Sequence, residues 1–372
     1  LDDLDKSNEY ILNAIKEDSG NKNYRLFKDE LDEIKKSIKN ARKTFEAGES
    51  ELAIKEFKKI SEKYPDIGIV FYEIGYIYKN LYNFDQAFIN YEIAKTNNPS
   101  LEKYSKAILN LSQILTVEGD KLARVKEYDS ALNKYQKAVE YSPDYPDPYF
   151  RIAKLYFVMK NFEEAKGWAR KSIEINNTNY QAYKMLGDIE LRWNNLDSSI
   201  DQYKMSININ DKYDKGFYSL AQAYKKKNEI HNAIDHLNNA IAINPNYAKA
   251  YELLGLIYQE LDEPKLLKAI ENYKLSIENN PKSYKSFYRL ASAYNTSNNF
   301  SDAKEAAKNC LLIKRNYAPA YCELGIAEIG NCNKIAAEDA FNQRTGQSQA
   351  LCTGLECPVC PQFFSKKASS GL

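Results

Sequence analysis

Cysteine and histidine are scarce in this chain of 372 residues. All six cysteines lie after residue 309, whereas a disulfide framework spreads its cysteines through a small domain. The body of the protein is therefore not a disulfide scaffold. The two histidines, His231 and His236, stand five positions apart and so face different sides of a helix, which argues against a shared metal ion.

The chain also lacks an excess of charge and the short motifs of common enzymes. Lys and Arg together number 52 and Asp and Glu 51, and this balance argues against a general nucleic-acid partner, which needs a basic surface. The sequence contains no Gly-rich phosphate loop, no HExxH, no GxSxG and no dinucleotide fingerprint. We therefore expect a non-catalytic protein without a cofactor or a bound metal.

Membrane and export signals are missing as well. No apolar run approaches the ~18 residues of a membrane span. No signal peptide is recognisable near Leu1, so a cytoplasmic protein is favoured over an exported one. The abundance of Lys, Asn, Ile and Tyr suggests an AT-rich, bacterial gene.

What the chain does contain is a pattern that recurs about every 34 residues. Its clearest column is a small residue, found at Ala53, Ala87, Ala131, Ala165, Ser199, Ala233, Ala269, Ala303 and Ala337. Proline and glycine columns follow the same step, with about ten extra residues near 102–111 and two near 262–267. A fixed period of this size indicates stacked repeats and not a closed globule.

Each repeat is predicted to be a helical hairpin. In residues 68–101, the first helix carries apolar or small residues three or four positions apart, at Phe71, Ile74, Gly75 and Tyr78. The second does so at Ala87, Tyr91 and Ala94. Pro99 ends the hairpin because proline cannot donate the next helical hydrogen bond. Gly75 and Ala87 are expected where the two helices approach closely.

These hairpins resemble the tetratricopeptide repeat family. The fullest copy of that family's pattern reads Tyr251, Leu254, Gly255, Tyr258, Ala269, Tyr273, Ser276 and Pro281. The resemblance covers roughly residues 34–343 and implies an all-α, right-handed α-solenoid of about nine hairpins. Residues 34–67 match only in their second helix, and Leu122, Glu190 and Glu328 replace the usual tyrosine. The ten extra residues are expected to lengthen the first helix of their hairpin.

The N-terminal region, residues 1–33, is predicted to be a helical cap. Helices are expected over 3–17 and 24–46, and the second has an apolar stripe at Phe27, Leu31, Ile34, Ile38, Ala41 and Phe45. A cap that covers the open face of the first repeat explains this stripe. A dimerising coiled coil is the alternative.

The C-terminal tail, residues 344–372, departs from the repeat composition. It contains Cys352, Cys357 and Cys360, whose spacing could serve a zinc ion or a redox pair, but a fourth zinc ligand is not evident. A low-order tail and a segment foreign to the fold are the other interpretations. Cys310 and Cys322 lie within repeats and are expected to be packing residues.

The resemblance also implies where a partner binds, since first helices line the groove of tetratricopeptide arrays. The corresponding positions are Tyr72, Tyr76, Phe150, Lys154, Lys184, Asp188, Arg192, Tyr218, Gln222, Lys225, Lys249, Glu252, Tyr288 and Ser292. Aromatic rings beside lysines suit an extended, acidic protein segment. The carboxylate clamp of chaperone-binding arrays is matched only at Lys285 and Arg289, so that mode is not expected. We therefore predict a protein-interaction scaffold; the alternative is a docking arm of a larger enzyme whose catalytic domain lies outside this chain.

Overall fold

The computed structural model describes residues 4–343, and over that range the chain forms nineteen α-helices and no β-strand. The predicted all-α fold of repeated helical hairpins is confirmed. Helix contacts divide the chain into two compact units, the first ending at Asn177 and the second beginning at Thr178. The tail with Cys352, Cys357 and Cys360 lies outside the described residues.

The first unit contains one N-terminal helix followed by four hairpins. Its helices are α1 (Leu4–Glu17), α2 (Lys22–Glu46), α3 (Ser50–Lys63), α4 (Gly68–Asn80), α5 (Phe84–Asn97), α6 (Glu102–Arg124), α7 (Tyr128–Tyr141), α8 (Asp147–Val158) and α9 (Phe162–Ile175). Helix α2 pairs with α3, and each later hairpin contacts the one before it. The ten extra residues lengthen α6 to 23 residues, as predicted.

The second unit contains five hairpins. Its helices are α10 (Tyr180–Arg192), α11 (Leu196–Ile209), α12 (Asp214–Lys226), α13 (Ile230–Ile243), α14 (Ala248–Gln259), α15 (Leu266–Asn279), α16 (Tyr284–Thr296), α17 (Phe300–Ile313), α18 (Ala318–Gly330) and α19 (Lys334–Asn342). Among the first helices, α12 also contacts α10, and α16 contacts both α14 and α18.

Size complementarity holds each hairpin together. The glycines of the first helices lie against rings of the second helices. A Cβ atom added to Gly75 would come within 2.7 Å of the ring of Tyr91, and one added to Gly187 would come within 2.5 Å of the ring of Tyr203. The same pairing recurs at Gly119 with Tyr135, Gly255 with Tyr273 and Gly325 with Phe341. In three hairpins whose first helix has alanine, the second helix has a residue smaller than tyrosine at the corresponding position: Ala153–Ala169, Ala221–Leu237 and Ala291–Ala307. The close approach predicted for the small residues is confirmed, and the recurring alanines of the second helices are buried.

The buried tyrosines of these pairs also have polar partners. The hydroxyl groups of Tyr135 and Tyr203 donate hydrogen bonds of 2.8 Å to Asp120 and Asp188, and that of Tyr273 donates one of 2.8 Å to Gln259. A buried phenol without a partner would destabilise the fold, so these acceptors on the first helices allow tyrosine at that position.

A column of left-handed residues closes every first helix but one. Its members have φ between 57° and 67° and are Tyr82, Lys126, Lys160, Asn194, Asn228, Asn298 and Cys332. Gly48, at φ 88°, occupies the same place in the first hairpin. Only glycine and asparagine adopt this conformation readily at a helix C-terminus.

The irregular repeats keep their hairpins through different contacts. Glu328 is 4 % exposed, and its Oε1 lies 2.9 Å from Nζ of Lys304. Glu190 accepts a hydrogen bond of 2.8 Å from Asn195. Each carboxylate that replaces the usual tyrosine is therefore buried with a partner, which offsets the cost of its desolvation.

The N-terminal helices differ in detail from the prediction. Helix α2 begins at Lys22 rather than at 24, because the side chain of Asn21 caps it by accepting from the backbone amide of Asn23. Leu31 and Ile34 of the apolar stripe are buried, whereas Phe27 is 61 % exposed. The expected limit between cap and array, at residues 33 and 34, lies inside this continuous helix.

Candidate binding groove

Three consecutive first helices of the second unit line a cleft of about 590 Å³. The side chains that reach it from α12, α14 and α16 include Tyr218, Gln222, Lys249, Glu252, Lys285 and Arg289. The cleft therefore brings together four residues that the sequence analysis placed in the groove, Tyr218, Gln222, Lys249 and Glu252. The i, i+4 spacing of Tyr218 and Gln222 puts them on one face of α12.

The electrostatics of this cleft are dominated by positive charge. Glu252 is its one acidic lining residue, and its Oε1 lies 3.2 Å from Nε of Arg289. Lys249, Lys282 and Lys285 also line the cleft and are exposed, and none forms an ion pair with a described residue. Three cationic groups are thus free to meet an anionic ligand.

The floor of the cleft is a connected set of hydroxyl groups. Oγ of Ser286 lies 2.9 Å from Oγ of Ser276 and 2.8 Å from Oγ of Ser283. Ser276 donates to the backbone carbonyl of Ala248 at 2.9 Å, and Ser286 donates to Glu252 at 3.4 Å. These contacts link α14, α15 and α16 and hold the polar floor in one arrangement.

Two aromatic residues of the predicted groove are half-buried. The ring of Tyr218 lies 5.2 Å from that of Tyr247, and its hydroxyl accepts a hydrogen bond of 3.2 Å from Gln222. The ring of Tyr288 meets that of Tyr317 edge-on at 5.5 Å. Burial raises the pKa of both phenols, so both stay neutral and can offer a ring face and a hydroxyl donor.

Comparison with known proteins identifies the repeats. A family model described as "TPR repeat" matches residues 119–159 and 222–262, and one described as "Tetratricopeptide repeat" matches residues 146–179 and 284–317. This chain contains tetratricopeptide repeats. Such repeats form extended surfaces that act as scaffolds for protein–protein interactions.

The chain is also similar to solved structures of other proteins. PilW, a widely conserved type IV pilus biogenesis factor, is 15% identical with a TM-score of 0.51, and the match covers 56% of this chain and 96% of PilW. YrrB, described as a TPR protein with an unusual peptide-binding site, is 21% identical, with a TM-score of 0.41 and coverages of 50% and 95%. MamA is 23% identical, with a TM-score of 0.41 and coverages of 44% and 88%. The sequence has no match among curated proteins.

Other predicted groove residues of the second tetratricopeptide unit are engaged within the protein. Nζ of Lys184 lies 2.6 Å from Asp188, and Nζ of Lys225 lies 2.7 Å from Glu260. Ser292 accepts a hydrogen bond of 3.4 Å from Gln259. Arg192 is exposed at the last residue of α10. The paired lysines are therefore less available to a ligand than Lys249.

The remaining predicted residues belong to the first unit. Tyr72 packs between the rings of Tyr91 and Tyr104, at 5.5 and 5.6 Å, and serves the core. Tyr76 is 38% exposed beside Phe45, and Phe150 is half-buried on α8. Lys154 is exposed and lines a separate cleft of about 380 Å³.

Sequence reasoning missed the loop and the floor of the larger cleft. Lys282 follows Pro281 between two hairpins, and Ser276 lies on a second helix, so neither is on a first helix. The signal for Ser276 was its place in the column of small residues near the end of the second helices, to which Ala94 also belongs. We interpreted that column only as packing, although a serine there supplies a hydroxyl to the cleft.

Among the described helices, none combines the length and the apolar character needed to cross a lipid bilayer.

Proposed function

We propose that this protein is a non-catalytic scaffold that binds an extended, acidic segment of another protein along the first helices of its second unit. One observation carries the proposal: Lys249, Lys282 and Lys285 line a single cleft and have no ion-pair partner among the described residues. Lysines at a surface with complementary charge steer an acidic partner and strengthen its binding at low salt.

The shape and chemistry of the cleft support a peptide over a small apolar molecule. The hydroxyl groups of Ser276 and Ser283 line it beside leucine side chains, and Tyr218 and Gln222 add a ring and an amide. Such groups can bind the backbone and side chains of an extended chain, and a half-buried tyrosine supplies contact area with few rotatable bonds.

A binding assay with fluorescent peptide pools tests the proposal. Acidic, neutral and basic pools of equal length are titrated with the full chain at low and moderate salt. We expect the acidic pool to bind best, and Lys249→Ala and Lys285→Ala each to weaken it several-fold. Lys308→Ala is the matched control, because Lys308 is exposed on the second helix α17 and has no ion-pair partner in the described range. Equal binding of the three pools would contradict the proposal.

A further inference from the structure

One carboxylate beside the groove lacks a cationic partner. Glu323 lies on α18, one repeat beyond Arg289 on α16, and is only partly exposed. Its Oε2 accepts a hydrogen bond of 2.8 Å from Nδ2 of Asn295. No lysine or arginine between residues 4 and 343 forms an ion pair with it. A desolvated carboxylate without a cation destabilises the free protein.

The neighbouring amide has an unused acceptor. Asn295 is 8% exposed, and its Nδ2 donates both to the carboxylate of Glu323 and, at 2.9 Å, to that residue's backbone carbonyl. Its Oδ1 is buried and has no donor in the part of the chain that the structure describes. The amide cannot be reversed, because reversal would place Oδ1 against two oxygen atoms. Glu323 therefore lacks a cation, although Asn295 and Ser292 donate hydrogen bonds to it, and Oδ1 of Asn295 lacks a donor.

We propose that Glu323 and Asn295 form a subsite for a lysine or arginine side chain of the bound segment. This inference rests on the proposed function and states which residue the partner must carry besides its acidic ones. An ammonium group has three donors and a guanidinium group five, so either can pair with the partly exposed carboxylate of Glu323, which the buried Asn295 orients. The pKa of Glu323 is raised by burial, as expected for a carboxyl group whose cation is missing.

The repeat geometry sets the spacing of the two charges on the partner. Arg289 and Glu323 are 34 residues apart and so occupy the same place in consecutive repeats, on helices that contact each other. Packed helices lie about 8–10 Å apart, and an extended chain rises about 3.3 Å per residue. The segment should therefore carry an acidic residue for the basic cleft and a basic residue about three positions away.

Peptide pools with a fixed charge pattern test this subsite on the full chain. Two fluorescent pools carry two glutamates and a lysine, placed three positions before the glutamates in one pool and three positions after them in the other. Each has a matched pool with glutamine in place of the lysine. We expect one lysine pool to bind at least five-fold more tightly than its glutamine match. Glu323→Gln should remove that preference without changing the affinity for the glutamine pool. Glu278→Gln, on the exposed side of α15, is the control.

A charge exchange sharpens the same test. Glu323→Lys should reject the lysine pool and favour a pool with glutamate at that position. Acidic pools that bind without any preference for lysine would overturn the subsite and leave the proposed function standing, and so would a lysine preference that persists in Glu323→Gln. Failure of every acidic pool to bind would overturn both proposals.

Thermal unfolding gives a readout that needs no ligand. If the carboxylate of Glu323 is uncompensated in the free protein, Glu323→Gln keeps the hydrogen bonding of the side chain, removes the charge and raises the Tm. A lower Tm would overturn the inference, because it would show that the negative charge already has a stabilising partner.

Discussion

Two clefts among the described residues, one in each unit, share a plan and differ in the residues that line them. In the first unit, Asp120 lies 3.4 Å from Nε of Arg151, and in the second Glu252 lies 3.2 Å from Nε of Arg289. Each cleft thus has one carboxylate paired with an arginine from the next hairpin, beside further cationic residues. The two arginines occupy the same place in their repeats.

The difference lies in what surrounds those charges. Ala123, Leu155 and Val158 line the cleft of about 380 Å³ in the first unit. Leu253 and Leu256 line the larger one, which adds the hydroxyl groups of Ser276 and Ser283. The packing between helices is the same in both, since Gly119 meets Tyr135 as Gly255 meets Tyr273. A few substitutions outside the packing positions therefore add hydroxyl groups to an amphipathic cleft, which is how repeats of one fold acquire different ligands.

The largest expected effect comes from overpacking the hairpin beside either cleft. A Cβ on Gly255 would lie 2.7 Å from the ring of Tyr273, so Gly255→Ala should destabilise the protein by about 1–3 kcal/mol. Adding Tyr273→Leu should restore part of that loss, because Ala221 and Leu237 pair in this way in a neighbouring repeat. Denaturant unfolding measures both.

The control for this prediction is another helical glycine. Gly167 on α9 has no atom within 4 Å of an added Cβ, so Gly167→Ala should stabilise the protein by about 0.5–1 kcal/mol. Destabilisation of similar size in both variants would show that the ring contact is not the cause. The corresponding change at Gly119 tests whether the first unit responds in the same way.

The next effect is on binding and separates the two units. Tyr218→Ala and Tyr288→Ala remove rings from the second unit and should each weaken binding of the acidic peptide pool by about 1–2 kcal/mol. Phe150→Ala and Lys154→Ala alter the first unit and should leave that affinity nearly unchanged. Fluorescence titration provides the measurement, with Asn238→Ala on α13 as the control. If Phe150→Ala weakened binding as much as Tyr218→Ala, the site would not be confined to the second unit.

The sequence predicted the hairpins for a physical reason. Residues such as Gly75 and Ala233 are constrained by contacts inside one repeat, so they recur at a fixed step and can be recognised. The carboxylate of Glu323 and the amide of Asn295 meet across two repeats, and neither belongs to a recurring column. Ion pairing was also hidden, because Lys184 and Lys249 both lie on first helices and only the structure shows that Lys184 is paired with Asp188.

A smaller effect concerns pH, and its sign should differ between the units. In the first unit, hydrogen bonds from Lys137 and Tyr141 lower the pKa of Asp85. A lowered pKa in the folded state stabilises the protein above the unfolded pKa, and that stabilisation is lost as the pH falls through the folded one. Asp85→Asn should thus lower the Tm at pH 7. The loss in free energy of unfolding should be below about 1 kcal/mol, because the pair of Asp85 and Lys137 is exposed.

Glu323 in the second unit should behave in the opposite way. Burial raises its pKa, so the charged form destabilises the fold at neutral pH, and this destabilisation disappears as the pH falls through the folded pKa. At pH 7 the Tm of Asp85→Asn should therefore lie below that of the unaltered protein, and the Tm of Glu323→Gln should lie above it. Melting curves across pH 3–7 should show both values converging with that of the unaltered protein in acid. Two variants that shift the Tm in the same direction at pH 7 would refute this contrast.

The smallest expected effect uses the left-handed column, in which the units also differ. In the first unit its members include Tyr82, Lys126 and Lys160, whereas three of the four in the second unit are asparagine. A left-handed conformation strains a lysine by about 1 kcal/mol. Replacement by glycine removes this strain but also increases the conformational entropy of the unfolded chain, which offsets part of the gain. Lys160→Gly should therefore stabilise the protein by up to about 1 kcal/mol, and Asn228→Gly should change its stability by less, because asparagine already tolerates this conformation. Denaturant midpoints at constant m-value measure the difference, and an equal response at both positions would mean that the side chain at this turn does not set the strain.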